Sequence, residues 1–138
     1  EEQLQEIEAL KATIAQSAKT NEARRQQQVR AADGVKKRFN TLYKQIRIHD
    51  RAVDGYLDLT EELKIKAEEV IHQLNADPQK VPIKRKVFGK KNRETVFEVV
   101  FAYKGRLYYR NLPDRRSEVL VIGTKLTQAG DLAFLDRR

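Results

Sequence analysis

The chain has 138 residues, 28 Lys and Arg against 20 Asp and Glu, a net charge of +8, and no Cys, Trp or Met. The absence of cysteine excludes disulfide scaffolds, thiol catalysis and Cys-ligated zinc, and no apolar run approaches the roughly 20 residues that span a bilayer. The surplus of bases favours a polyanionic or acidic partner.

Residues 1–43 are predicted to form a helical arm. Its apolar residues recur at spacings of three and four, first as Leu4, Ile7, Leu10 and Ile14 and again as Val35, Phe39, Leu42 and Ile46. Because such a polar helix rarely stands alone, segments 4–14 and 35–46 are expected to pair with a partner helix or a second copy as a coiled coil. Packing of the helix on its own domain is the alternative.

Residues 44–138 are predicted to form an α+β domain, with two helices on a mostly antiparallel sheet. Asp50 is the expected cap of the first helix, and either Thr60 or Asp58, the latter with Glu61 three residues on, is the expected cap of the second. The expected strands are residues 45–49, 82–88, 95–103, 106–110 and 118–123, with a tight turn at Lys104-Gly105 and a last helix at 127–135.

Positive charge is concentrated on and around one predicted strand, since residues 80–93 contain seven basic residues and no acidic residue. Together with basic residues from neighbouring strands, this surface could neutralise several phosphates of a nucleic acid. The residues expected to bind nucleic acid are Arg85, Lys90, Lys91, Arg93, Arg110 and Tyr108. Tyr103, Tyr108 and Tyr109 could stack on bases, although packing within the sheet is the favoured interpretation. An acidic protein partner would suit the same surface.

Other chemistry has little support in the sequence. Phosphate loops, dinucleotide-binding loops, zinc-protease motifs and serine elbows are all missing, and the acids show no metal spacing, so no cofactor or metal is expected. His49 and His72 are the only histidines, and each is expected to be exposed or structural and not to act in catalysis. The sequence begins at Glu1 without Met, so the natural protein is expected to extend upstream.

The order of several motifs resembles the RelE/ParE toxin family over about residues 44–135. The matching segments are Ile46 to Val53, the helix from Glu61 to Pro78, Gly105-Arg106-Leu107-Tyr108-Tyr109, Val119 to Lys125, and Lys125-Leu126-Thr127-Gln128 with Gly130-Asp131-Leu132. The resemblance implies a compact sheet with two helices on one side. It also implies ribosome-dependent mRNA cleavage in the RelE branch, or gyrase poisoning in the ParE branch.

The resemblance assigns catalytic roles to Lys84 and Lys86 on the strand after the helices, to Arg106, and to Lys125. Phe134 and Leu135 stand where many members have a catalytic Tyr or His. The expected function is therefore a cytoplasmic RelE-like toxin that binds RNA or the ribosome, has an antitoxin partner, and acts as a metal-independent endoribonuclease if it cleaves RNA. The alternatives are a non-catalytic binding module and a ParE-like toxin.

Overall fold

A computed structural model describes residues 2–88 and 94–138, and the side chains of residues 19–87 and 94–138. The helices are α1 (Glu2–Leu42), α2 (Asp50–Leu57), α3 (Glu61–Ala76) and α4 (Gln128–Arg137), with a short 3₁₀ turn at Pro78–Lys80. The strands are β1 (Ile46–Ile48), β2 (Arg85–Phe88), β3 (Thr95–Phe101), β4 (Gly105–Asn111) and β5 (Ser117–Thr124). The expected α+β class is confirmed.

The five strands form one mixed sheet in the order β1-β5-β4-β3-β2. Among the strand pairs of the described residues, β1 and β5 are parallel and the other three pairs are antiparallel. The ladder between β4 and β5 shifts register between Tyr108 and Tyr109, as a β-bulge does. A bulge changes which residues of two strands share a face, so the burial of this part of β5 does not follow simple alternation.

The core lies on both faces of the sheet. On one face, α2 and α3 bury Ala52, Ala67, Val70, Ile71 and Leu74 against Val99, Leu107, Tyr109, Val119 and Ile122. On the other face, Leu135 of α4 packs with Val96, Tyr108, Leu120 and Val121. Gly55 permits close packing of α2, since a Cβ there would lie 1.7 Å from the Ile122 carbonyl oxygen.

Two helix caps test the sequence reasoning directly. Of the two candidates for the second helix, Thr60 caps α3, accepting a hydrogen bond from the Leu63 amide at 3.3 Å. The expectation for Asp50 is wrong, because His49 caps α2 through Nδ1, which accepts from the Arg51 amide at 3.0 Å. Asp50 is instead the first helical residue, and its carboxylate pairs with Lys36 at 2.6 Å.

The chain divides into two compact units, residues 1–34 and residues 35–138. In the second unit, Phe39, Tyr43 and Ile46 belong to the domain's own core, with Val35 packed against it. The second part of the predicted pairing seam is therefore largely occupied by the chain itself. None of the described helices has the length and apolar character needed to cross a membrane.

Candidate nucleic-acid interface

The turn between β3 and β4 brings two predicted functional residues together, and we call Tyr103, Lys104, Arg106 and Lys125 the hairpin tip. Arg106 Nη1 donates to the carbonyl oxygens of Tyr103 and Gly105, both at 2.9 Å. Lys125, which follows β5, lies with Nζ 4.3 Å from the centroid of the Tyr103 ring. The Lys125 amide donates to the Lys104 carbonyl at 3.0 Å. Arg106 and Lys125 thus meet at Tyr103.

The backbone of this turn differs from the predicted Lys104-Gly105 turn. Ala102 and Tyr103 have positive φ angles of 46° and 65°, whereas no glycine in the described chain does. The Lys104 amide donates to the Ala102 carbonyl at 2.6 Å, which closes a three-residue turn. Gly105 is a strand residue that is needed for space, since a Cβ would lie 2.2–2.4 Å from the Phe101 ring.

The charged groups of the hairpin tip differ in exposure. Lys104 and Lys125 are exposed, and neither forms an ion pair with any described residue. Arg106 is only 8% exposed and donates to main-chain carbonyls. The two lysines can therefore contact a polyanion directly, whereas Arg106 holds the turn in place.

Lys84 and Lys86, the other two predicted catalytic residues, are exposed at the edge strand β2. Lys86 pairs in register with Phe97, and Arg106 with Val100 three residues further along β3. Because side chains alternate along a strand, Lys86 and Arg106 point to opposite faces of the sheet. The structure brings Arg106 and Lys125 together and does not bring Lys86 to Arg106.

Arg85, expected to bind nucleic acid, belongs to a second group that we call the Glu98 cluster: Arg85, Glu98, Tyr108 and Gln128. Glu98 is 2% exposed and accepts two hydrogen bonds from Arg85, each 3.1 Å long. It also accepts from the Tyr108 hydroxyl at 2.6 Å and from Gln128 Nε2 at 3.1 Å. The cluster joins β2, β3, β4 and α4.

The pKa shifts of Glu98 and Tyr108 follow from burial together with the hydrogen bonds of the cluster. Burial opposes ionisation of Glu98, but hydrogen bonds from Tyr108, Arg85 and Gln128 outweigh it and lower the pKa of the carboxyl. Burial, followed by the hydrogen bond to Glu98, raises the pKa of Tyr108 to about 12. Tyr108 is fully buried, so it is a core residue and not an accessible stacking surface.

Of the remaining residues predicted to bind nucleic acid, Arg110 has carboxylate partners. Arg110 pairs with Glu118, with 2.8 Å between Nε and Oε1, and also with Glu94. Its charge is therefore matched by carboxylates, one of which is 5% exposed. The predictions for Lys90, Lys91 and Arg93 lie outside the described residues. Glu98 and Gln128 were missed by the sequence reasoning, although an acid inside an apolar strand was a signal.

Both histidines have structural contacts. The ring of His49 lies 5.6 Å from that of Phe134, and the Arg51 guanidinium lies 4.5 Å from the Phe134 centroid. Arg51 also pairs with the buried Asp131 at 3.2 Å, which fixes α4 to the start of α2.

His72 lies beside a cleft of about 670 Å³ on the helical face of residues 35–138, with its ring 6.1 Å from that of Tyr43. Glu68 lines this cleft and accepts hydrogen bonds from Arg38 Nε and from the Tyr43 hydroxyl, both at 3.0 Å. The hydrogen bond from Arg38, ahead of the opposing effect of burial, lowers the pKa of Glu68. Among the described side chains, no group of three or more His, Asp and Glu is placed to hold a metal ion.

No model of a known protein family matches the chain, and the comparison with curated proteins gives no match. Among solved structures, the archaeal RelE–RelB complex from Pyrococcus horikoshii OT3 is similar, with a TM-score of 0.45 and 14% identity over 58% of this chain and 92% of that one. The element order and the mixed sheet are consistent with a RelE-like domain. A TM-score of this size describes a loose likeness of the fold.

Proposed function

We propose that the chain is the toxin component of a toxin–antitoxin pair, with a RelE-like domain that binds RNA through the hairpin tip. The order of sequence motifs from residue 44 to residue 135 supports this assignment, and so does the α+β fold. The observation that carries the RNA-binding part is the arrangement at Tyr103, where Arg106 holds the main-chain carbonyl and Lys125 lies over the exposed aromatic ring.

The hairpin tip has the components of a phosphate-binding surface. Lys104 and Lys125 supply two charges that no described carboxylate neutralises, and Arg106 holds the turn that presents them. Lys84 and Lys86 add positive charge at the edge of the sheet. We assign these two lysines to long-range attraction of the polyanion, since Lys86 and Arg106 lie on opposite faces.

Cleavage of mRNA is the stronger form of the proposal. Attack by a 2′-hydroxyl needs a base, a stabiliser of the phosphate charge and an acid for the leaving group. Neither histidine contacts the hairpin tip in the described residues, because His49 Nδ1 caps α2 and the exposed His72 lies on α3 beside Tyr43. Any cleavage would therefore depend on the lysines and Tyr103, and binding without turnover is the alternative.

Induced expression in a bacterial host tests the toxin assignment. We expect growth arrest, and loss of full-length transcripts if the chain cleaves RNA. The Lys104→Ala/Lys125→Ala double variant should relieve the arrest, whereas Lys64→Ala/Lys66→Ala on α3 removes the same charge and should not. Arrest with intact transcripts would favour binding without cleavage. Normal growth together with no RNA affinity of the purified chain would contradict the proposal.

We further propose that α1 contributes a partner contact through residues 4–14, either with an antitoxin or with a second copy. Residues 35–46 are largely committed to the domain core, so the contact is now restricted to the first part of the helix. Sedimentation equilibrium of the purified chain should show dimers that are lost in a Leu10→Asp/Ile14→Asp variant. A chain that is monomeric and does not bind a co-expressed antitoxin would contradict this contact.

A further inference from the structure

Tyr103 differs from the other tyrosines of the sheet in its exposure. Tyr108 and Tyr109 are 0% and 2% exposed, whereas Tyr103 is 75% exposed. Packing explains the first two rings, because they fill the core on opposite faces of the sheet. Packing does not explain an aromatic side chain at the end of a hairpin.

The backbone at Tyr103 is also strained. A non-glycine residue in the left-handed region costs about 1 kcal/mol or more, and here Ala102 and Tyr103 adopt it in succession. Gly or Asn would relieve that strain. The chain nevertheless has a large aromatic residue at the second position, and strain of this kind is concentrated at functional sites.

The contacts of the ring leave one face available. Lys125 Nζ lies 4.3 Å from the ring centroid, so a cation covers one face and orients the ring. Within residues 19–87 and 94–138, no second ring or cation contacts the Tyr103 ring. Arg106 holds the main chain beneath it through the Tyr103 carbonyl.

We propose that Tyr103 is a stacking surface for an unpaired base of single-stranded RNA, and that Lys104 and Lys125 neutralise the flanking phosphates. This inference rests on the proposed RNA-binding function and adds the strand type that the hairpin tip selects. Aromatic side chains stack on bases that are unstacked and accessible, whereas the bases of a duplex are already stacked on each other. The hairpin tip therefore distinguishes a single strand from a duplex.

The absence of tryptophan from the sequence makes a direct test available. Tyr103→Trp gives the chain a single tryptophan, whose emission is quenched when a base stacks on it. We expect quenching by oligo(rA) and no quenching by heparin, a polyanion without bases. The matched control is Ile65→Trp, which places the reporter on α3 at a side chain that is 62% exposed. Equal quenching at both positions would contradict the proposal.

Affinity measurements provide a second test that does not depend on the tryptophan. Tyr103→Asn suits the left-handed backbone and removes the ring, so it should weaken oligo(rA) binding by about five- to a hundredfold. Tyr103→Phe keeps the aromatic ring, so it should lose less affinity for oligo(rA) than Tyr103→Asn does, and both losses should be smaller for an RNA duplex.

The outcomes distinguish a failure of the proposed RNA-binding function from a failure of the stacking role of Tyr103. If the wild-type chain binds neither single-stranded nor duplex RNA, the proposed function fails and the stacking role fails with it. If wild type and Tyr103→Asn bind oligo(rA) equally, the RNA-binding function stands and the stacking role of Tyr103 is wrong.

Discussion

The Glu98 cluster and the hairpin tip lie on the same sheet and both contain arginine, tyrosine and a residue beyond β5, but their charges are arranged oppositely. In the Glu98 cluster a buried carboxylate accepts from Arg85 and Tyr108, so the positive charge is balanced inside the fold. At the hairpin tip the aromatic ring is exposed and no described carboxylate pairs with Lys104 or Lys125. Charge matched by a buried acid stabilises the fold, whereas unmatched charge at a strained turn is available to a ligand.

The largest effect on stability is expected from Glu98→Ala. This change leaves the Tyr108 hydroxyl buried without its acceptor and removes the partner of Arg85. We expect a loss of about 3 kcal/mol in the free energy of unfolding, measured by urea denaturation. Glu98→Gln keeps an acceptor and should lose less. An Ala variant as stable as wild type would mean that the cluster does not stabilise the fold.

Alkaline pH should destabilise the fold through Tyr108. The pKa of Tyr108 is raised in the folded state, so its contribution to stability is complete below pH 10 and is lost as the pH rises towards 12. The loss should be about 2–3 kcal/mol. Tyr108→Phe should flatten this part of the curve. Burial also raises the pKa of Tyr109, so some dependence on pH should remain.

Gly105→Ala should cost about 2 kcal/mol, because its Cβ would collide with the Phe101 ring. Phe101→Leu in the same chain should recover part of the loss by providing space, and a double-mutant cycle measures the coupling. Additive effects would instead mean that the constraint at Gly105 comes from its backbone.

Changes at the hairpin tip should have the smallest effect on stability. Lys104→Ala and Lys125→Ala remove exposed side chains, so each should shift the free energy of unfolding by less than about 0.5 kcal/mol. Tyr103→Asn should raise the free energy of unfolding by up to about 1 kcal/mol, because Asn relieves the left-handed strain at this position. The same variants are expected to change RNA binding strongly. A tip variant that is destabilised as much as Glu98→Ala would remove the distinction between the two groups.

The sequence predicted the elements better than it predicted the site. The α+β class, the hairpin of β3 and β4 and the Thr60 cap depend on local patterns, which apolar spacing and cap residues reveal. The Asp50 cap was wrong because His49, one residue earlier, offers a side-chain acceptor to the same helix start. The left-handed turn at Ala102 and Tyr103 has no local signal, since neither residue type favours it.

The sequence could not predict which basic side chains have a carboxylate partner and which do not. The partners Arg85 and Glu98 are brought together by the register of β2 and β3, and Arg110 and Glu118 by that of β4 and β5. A count of bases treats Arg85 and Lys84 alike, although only Arg85 has a buried carboxylate beside it. The faces of Lys86 and Arg106 likewise follow from strand register, which composition does not specify.

The most direct measurement is the affinity for single-stranded RNA as a function of salt for wild type and two double variants of equal charge. Lys104→Ala/Lys125→Ala should bind oligo(rA) more weakly and reduce the slope of log affinity against log salt by about 1.4, as expected for two lost phosphate contacts. Lys64→Ala/Lys66→Ala on α3 should leave the slope near that of wild type. An equal loss in both double variants would show that only net charge matters and would contradict a binding site at the hairpin tip.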